Sequence, residues 1–316
     1  MADFKKINDE NYCNIVGTLK ELNLSAEGVK PRKIGFNDNQ QEVQCNAMNK
    51  TEFNKPMMVV EVNGMAVPID LKFSQAEFGV KKDGSQFENG AYKSLNTIAE
   101  QYKLGDRVSV TVSFSRNEYA KDGEIKSFPT FYWVRTTRSG VPEEDEISGS
   151  LVGVVTKMFE EEVNEETTGR LKVGIATFTY GGELEQFDFV VESDMARDFE
   201  SAYEQNSVAQ IYYTLKSNTT VVETEESTGG FGKKAKKAVS GRTFTEYVII
   251  GGEPAIDEEN EALFITPQEI ADGKTKRDIS QQKKIQKEAE KKNGSTSTVK
   301  GSAQSFVDST PANLPF

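Results

Sequence analysis

A short apolar segment occurs twice in this chain and limits what it can become. Residues 14–22 read NIVGTLKEL and residues 150–158 read SLVGVVTKM, an ungapped match that sets Gly17 over Gly153, Val16 over Val152 and Leu19 over Val155. Apolar and β-branched residues at this density favour a strand, and a glycine inside a strand marks a bend or a close backbone approach. Two opening strands that bend at the same place predict two copies of one small β unit.

The segments that follow keep step. Residues 57–73 and 171–191 each read as a hairpin, with Asn63-Gly64 and Gly181-Gly182 as turn signals. A helix is expected next in both: Leu95, Ile98, Ala99 and Tyr102 follow Ser94 at helical spacing, and Met195, Phe199, Ala202 and Tyr203 follow the cap candidate Ser193-Asp194. A long strand (107–116 or 208–216) and an aromatic closing strand (128–138 or 244–250) complete each copy. Three strands, a helix and two strands is the order of the OB barrel. The expected fold class is mainly β, with two tandem five-stranded OB-like barrels, a C-terminal helix and a disordered tail. The expected domains are 1–139, 140–262 and 263–316.

The copies differ in their insertions. The first has room for extra material at 25–55 and 78–92, and the second lengthens its last hairpin, 219–242, into a flexible basic tip. The linker 139–146, SGVPEEDE, is short and stiffened by Pro142, so the barrels are expected to touch. Beyond them, Thr266-Pro267-Gln268-Glu269 combines a capping threonine, proline at the first helical position and glutamate at the third. Gly273 is expected to interrupt that helix before a lysine-rich stretch at 275–292, which either follows a phosphate backbone or is simply solvated.

Charge separates the three segments. Residues 1–139 hold 19 Lys and Arg against 18 Asp and Glu; residues 140–262 hold 10 against 26; residues 263–316 hold 9 against 6. The middle segment carries the acidity behind the net charge of -12 and repels phosphate except where its cations gather. The chain has no histidine, which removes the commonest general base and metal ligand. No phosphate-cradling glycine loop or nucleophile elbow occurs, so neither catalysis nor a cofactor or metal is expected. Cys13 and Cys45 have no metal-like spacing, and no run is long and apolar enough to span a membrane. A reduced cytoplasmic setting is the expectation.

What remains is binding chemistry. In the first closing strand, alternation assigns Tyr132 and Val134, aligned with Val248 and Ile250, to the core, and sends Phe131, Trp133 and Arg135 outward. A one-residue register slip exchanges the two faces. Lys30, Arg32 and Lys33 occupy the expected loop after the first strand, while Arg116, Tyr119, Lys121 and Lys126 occupy the last hairpin. Two basic loops flanking an aromatic strand suit single-stranded nucleic acid, because bases stack on rings and phosphates need cations. Arg138 extends the cationic set. Phe231, Lys233, Lys234, Lys236 and Lys237 form a second basic group on the tip of the later hairpin.

With its tandem barrels, flexible tail and apolar last residues, the chain resembles bacteriophage single-stranded DNA-binding proteins. The resemblance implies sequence-independent coating of single-stranded DNA in replication or recombination, a chemistry RNA also satisfies. It further implies recruitment of replication or recombination proteins through a C-terminal tip ending in Pro-Phe, here Leu314, Pro315 and Phe316. Such tips are acidic, and Asp308 is the one acid nearby. The competing expectation is a protein-interaction module that docks through its acidic second barrel. The sequence does not fix an oligomeric state.

Overall fold

The computed structural model describes residues 3–23, 30–36, 42–47, 57–71, 77–81, 83, 85–163, 165–226 and 236–294. Helix α1 (Phe4–Glu10) leads into β1 (Tyr12–Leu22), the hairpin β2 (Lys30–Phe36) and β3 (Glu42–Ala47), and the pair β4 (Met57–Val62) and β5 (Met65–Asp70). The short strands β6 (Phe78–Val80) and β7 (Gln86–Glu88) precede α2 (Gly90–Gln101), β8 (Arg107–Lys121) and β9 (Glu124–Thr137). The second half runs β10 (Glu146–Val163), β11 (Glu166–Phe178), β12 (Leu184–Val191), α3 (Ala196–Ala202), β13 (Val208–Glu226) and β14 (Lys236–Gly252). Helix α4 (Pro267–Gly294) follows.

The fold is mainly β, with a closed five-stranded barrel and a C-terminal helix. Strand β1 pairs with β4, β4 with β5, β5 in parallel with β9, β9 with β8, and β8 returns to β1. In the second half β10, β11, β12, β14 and β13 pair in the same cyclic order, with β12 and β14 parallel. Strand β1 also pairs with β10 over Tyr12–Val16, joining the halves into one ten-stranded sheet.

The repeated glycines mark where the opening strand of each half crosses its neighbour. A Cβ on Gly17 would overlap the carbonyl oxygen of Glu61, and one on Gly153 that of Ala176. Just beyond, the register slips by one residue between Leu19 and Glu21, and between Val155 and Lys157. An extra residue of this kind bends its strand, as barrel closure requires. The left-handed Gly105 (φ 95°) and Asn206 (φ 76°) occupy matching turns, each donating its amide to the strand just described, at Leu19 and Val155.

Packing does not stop between the halves. Phe114 of β8 lies with its ring centroid 4.3 Å from Phe187, 5.5 Å from Tyr213 and 4.7 Å from Tyr247, so one buried aromatic cluster serves both. The linker is held as well: Arg107 donates to Asp145 (2.6 Å) and to the Pro142 carbonyl (2.5 Å), while Asp145 accepts the Asn63 amide (2.7 Å).

Several local expectations change. The basic stretch KPRKIGF is strand β2, paired with β3, rather than a loop. Most of the expected flexible tip is a two-stranded ribbon that stays in register to Glu226 opposite Lys236. Helix α2 begins at Gly90, ahead of Ser94, and α3 is preceded by Met195 with no side-chain cap, so Ser193 and Asp194 do not cap it. The capping box is present, with Thr266 and Glu269 exchanging hydrogen bonds of 2.9 and 3.3 Å. Gly273 does not break α4; it lets the helix lie against the Phe178 ring, where a Cβ would collide. Helix α1, with Asp3 as its cap, had no signal strong enough to read.

Candidate functional site

Neighbouring residues on a strand face opposite sides, while residues paired across strands share a side. On β8 and β9 the pairs are Thr111 with Arg135, Ser113 with Tyr132, Ser115 with Thr130, Asn117 with Phe128, Tyr119 with Lys126 and Lys121 with Glu124. All lie on one face, which therefore carries Arg135, Tyr132, Phe128, Tyr119, Lys126 and Lys121 in sequence from the barrel outward. Tyr119 is 46% and Phe128 43% exposed, and their rings meet edge to face at 6.2 Å. Large apolar rings left in water on a ribbon add little to a core and are available for stacking.

The opposite face is occupied. At the barrel end it holds Val112, Phe114, Phe131 and Trp133, all buried. This corrects the outward placement of Phe131 and Trp133, and the cause is a bulge. The register moves from Thr111–Arg135 directly to Val112–Trp133, so Val134 has no partner. That extra residue turns Val134 outward, 50% exposed, alongside Arg135, and leaves Trp133 7% exposed with its indole donating to Thr136 (2.8 Å). Tyr132, expected in the core, is half-buried. The same slip between Tyr212 and Tyr213 in the second half leaves Ile250 exposed and Ile249 buried.

Farther out, that opposite face receives α4. Glu118, only 6% exposed, accepts from Arg277, from Gln281 (3.2 Å), from Lys284 (3.1 Å) and from Ser127 (3.1 Å). Glu288 accepts the turn amides of Asp122 (3.1 Å) and Gly123 (3.3 Å), and Lys292 pairs with Asp122 (3.0 Å). Gly273, Arg277, Gln281, Lys284, Glu288 and Lys292 form one helical stripe, so beyond its first turns, where Ile270 and Gly273 meet the apolar cluster around Phe178, α4 docks through polar groups. Its lysines are not all solvated, as the sequence allowed.

The remaining candidate residues divide. Arg116 is spent within the protein: it donates to Ser127 (2.6 Å) and to the Gln186 carbonyl (2.8 Å), and lies 5.9 Å from the Phe187 ring centre. Arg138 donates to the Gln101 carbonyl (2.7 Å) and lies over the Tyr102 ring at 5.3 Å. Lys126 pairs with Glu124 (2.6 Å), whereas Lys121 is exposed at the ribbon's end. Lys30, Arg32 and Lys33 are on β2, and Lys236 and Lys237 open β14. Phe231, Lys233, Lys234, Leu314, Pro315 and Phe316 lie outside the described residues.

Two openings adjoin the aromatic face. A groove of about 280 Å³ is lined by Ala66, Pro68, Phe128 and Thr130 together with Leu215 and Thr245 of the second half. A larger cleft, about 750 Å³, lies among β1, β8, β9 and the turn between β11 and β12, and includes Tyr12, Ser113, Tyr132, Arg135 and Tyr180. Tyr12, Phe128 and Tyr180 were missed by sequence reasoning. Phe128 lies in the stretch already singled out, but nothing in composition separates it from Phe131.

Among the described side chains of the second half, most cations are paired with its own acids. Arg170 bonds Glu161 (3.0 Å), Glu192 (3.1 Å) and Glu246 (2.7 Å), Lys172 bonds Glu161 (2.7 Å), and Lys216 bonds Glu192 (3.0 Å). Burial pushes the Glu246 and Glu161 carboxyls up, but these cations outweigh it and hold both below the ordinary glutamate value. Among the described residues no cluster of acids and cysteines could hold a metal, and no helix is long and apolar enough to cross a membrane.

This is a mainly β protein whose barrel presents an aromatic face. The YorF family profile matches residues 10–292, and the chain belongs to that family. No curated protein matches it by sequence. Among solved structures it is similar to the wild-type single-stranded DNA binding protein of Thermus aquaticus, at 10% identity and a TM-score of 0.41, over 78% of this chain and 93% of that one. An internal-deletion variant of the same protein matches at 10% identity and a TM-score of 0.41, over 82% and 97%. At that identity and score the likeness carries no function across.

Proposed function

We propose that this protein binds single-stranded DNA along the aromatic face of β8 and β9, without catalysis and largely without sequence preference. The observation that carries the reading is the register. Arg135, Tyr132, Phe128, Tyr119 and Lys121 share one face, and the other face is filled by the core and α4. Stacking on exposed rings is indifferent to sequence because every base has a flat face, and cations beside the rings hold phosphates. The basic hairpin β2–β3 follows β1, and in an OB barrel strands of nucleic acid pass between that connection and the last hairpin. The architecture proposed is two OB-like barrels, residues 1–139 and 140–262, followed by a helix and tail. The recurring glycine, bulge and left-handed turn support it. Such a grip suits the protection of strands exposed in replication or recombination, the role proposed by analogy with phage proteins.

Anisotropy of a labelled oligothymidine tests the reading. Affinity should fall as salt rises. Tyr119→Ala with Phe128→Ala should weaken binding by roughly tenfold or more, since each stacked base contributes about 1–3 kcal/mol. Undiminished binding by that double variant would refute it.

One further observation favours a protein-binding role for the second half. Phe159 and Val163 are about half exposed among Glu160, Glu162 and Glu166 on the β10–β11 ribbon, a combination suited to a basic, partly apolar partner. A partner recovered equally with and without nuclease treatment supports that role, and strict dependence on DNA counts against it.

A further inference from the structure

We propose that the larger cleft is a nucleobase pocket at the inner end of the aromatic face. The base would stack between Tyr12 and Tyr132 above Ser113, with its phosphate against Arg135. The proposal deepens the single-strand reading and rests on it.

Tyr12 of β1 pairs with Ser113 of β8, and Ser113 pairs with Tyr132 of β9, so the three side chains form one row across three strands on the same face. Adjacent strands lie about 4.8 Å apart, which sets the two tyrosines about 9.6 Å apart at the backbone. A flat ring between two others needs two contacts of about 3.5–4 Å, or about 7–8 Å in all. A serine in the middle leaves that space open, where a larger residue would fill it.

The next row supplies the cation. Arg135 donates its Nε to the Thr111 hydroxyl (3.2 Å), which donates to Asn14 (2.9 Å), so the guanidinium is steered by a chain of hydrogen bonds while remaining exposed. Tyr180, also in the lining, is held by its hydroxyl donating to Asp9 (3.0 Å). The charges lining the cleft, Arg116 and Arg135 against Asp9 and Glu185, cancel. A neutral cleft with polar walls and aromatic flanks fits an uncharged base better than a phosphate chain. One steered arginine matches the one phosphate that accompanies a base.

The test is ultraviolet crosslinking of the full chain to an oligothymidine containing 5-iododeoxyuridine, with the adducts mapped by mass spectrometry. Adducts on Tyr12, Tyr132 or Tyr180, in addition to the ribbon, are expected. Ser113→Phe, which plugs the slot from a position facing away from the core, should remove the cleft adducts, spare those at Tyr119, and lower affinity about tenfold. Binding with ribbon adducts alone, or cleft adducts that survive Ser113→Phe, overturns the pocket and leaves the strand-binding reading intact. No binding by the wild-type protein overturns both. Excess thymidine monophosphate separates the sources of the base. Loss of the cleft adducts shows a pocket that also takes free nucleotides, and persistence shows one fed by the strand alone.

Discussion

Arg277 of the C-terminal helix and Glu118 of the β8–β9 ribbon form an ion pair across 159 positions of sequence, and it anchors α4 behind the aromatic face. Burial pushes the Glu118 carboxyl up, but Lys284, Arg277 and Ser127 outweigh it and hold it below the ordinary glutamate value. Because the folded pKa is depressed, this stabilisation is present above the unfolded value and is lost as pH falls through the folded one. Removing Glu118 takes the shared carboxylate from Arg277 and Lys284, which are only partly exposed, at a cost of about 1–3 kcal/mol. Glu118→Ala should therefore raise hydrogen exchange throughout α4 and expose it to proteases, and acid below the ordinary glutamate value should do the same to the wild type. Unchanged protection of α4 in the variant would show that Gly273 and the capping box suffice to hold it.

Trp133 is the chain's one tryptophan, so its environment can be read by fluorescence. Buried beside Phe131, it should emit at short wavelength, resist acrylamide, and respond little to added oligonucleotide. Trp133→Ala should cost about 3–5 kcal/mol in denaturant unfolding, as large-to-small core changes do. Val134→Ser, at the exposed bulge one residue away, should cost under about 0.5 kcal/mol. Similar costs for the two would mean that the bulge lies elsewhere.

How far the sequence could be read turns on this same strand. The repeated glycines were legible because a glycine among valines has few causes, and the capping box was legible because Thr266 and Glu269 need only each other. The inward turn of Trp133 was not, since a bulge is a property of two strands in register, and nothing in the residue itself marks Val134 as the extra one. Gly273 was misread for a related reason. A glycine that ends a helix and a glycine that lets a helix touch Phe178 look the same until the partner is known. At the candidate site, the composition of the hairpin pointed to Tyr119 and Lys121. Tyr12, on a strand far off in sequence, and Tyr180, in the turn between β11 and β12, could be found only from the fold.

Gly17 and Gly153 offer a matched test of the repeated bend. Each passes so close to a neighbouring carbonyl that a methyl group would overlap backbone, which cannot swing aside as a side chain can. Gly17→Ala and Gly153→Ala should each destabilise by about 1–3 kcal/mol, the usual cost of overpacking. Gly64, with a φ of 79° and open space around it, should lose stability on substitution through backbone strain alone. Chemical denaturation of the three variants checks the ordering. A neutral Gly153→Ala would show that β10 does not cross β11 as closely as β1 crosses β4.

Glu185, at the rim of the large cleft, should behave oppositely to Glu118. Burial raises its carboxyl above the ordinary glutamate value, and the Ser115 hydroxyl (2.9 Å) and Arg116 amide (3.3 Å) offset that only in part. A raised carboxyl favours folding most when protonated. Its contribution is full below the unfolded pKa and is lost as pH rises through the folded one. At neutral pH the ionised group therefore opposes folding, whereas glutamine of the same shape keeps an acceptor for both donors without the charge. Glu185→Gln should raise the melting temperature at pH 7 and give no gain at pH 4. A decrease at pH 7 would mean that Ser115 and Arg116 stabilise the carboxylate more than burial penalises it.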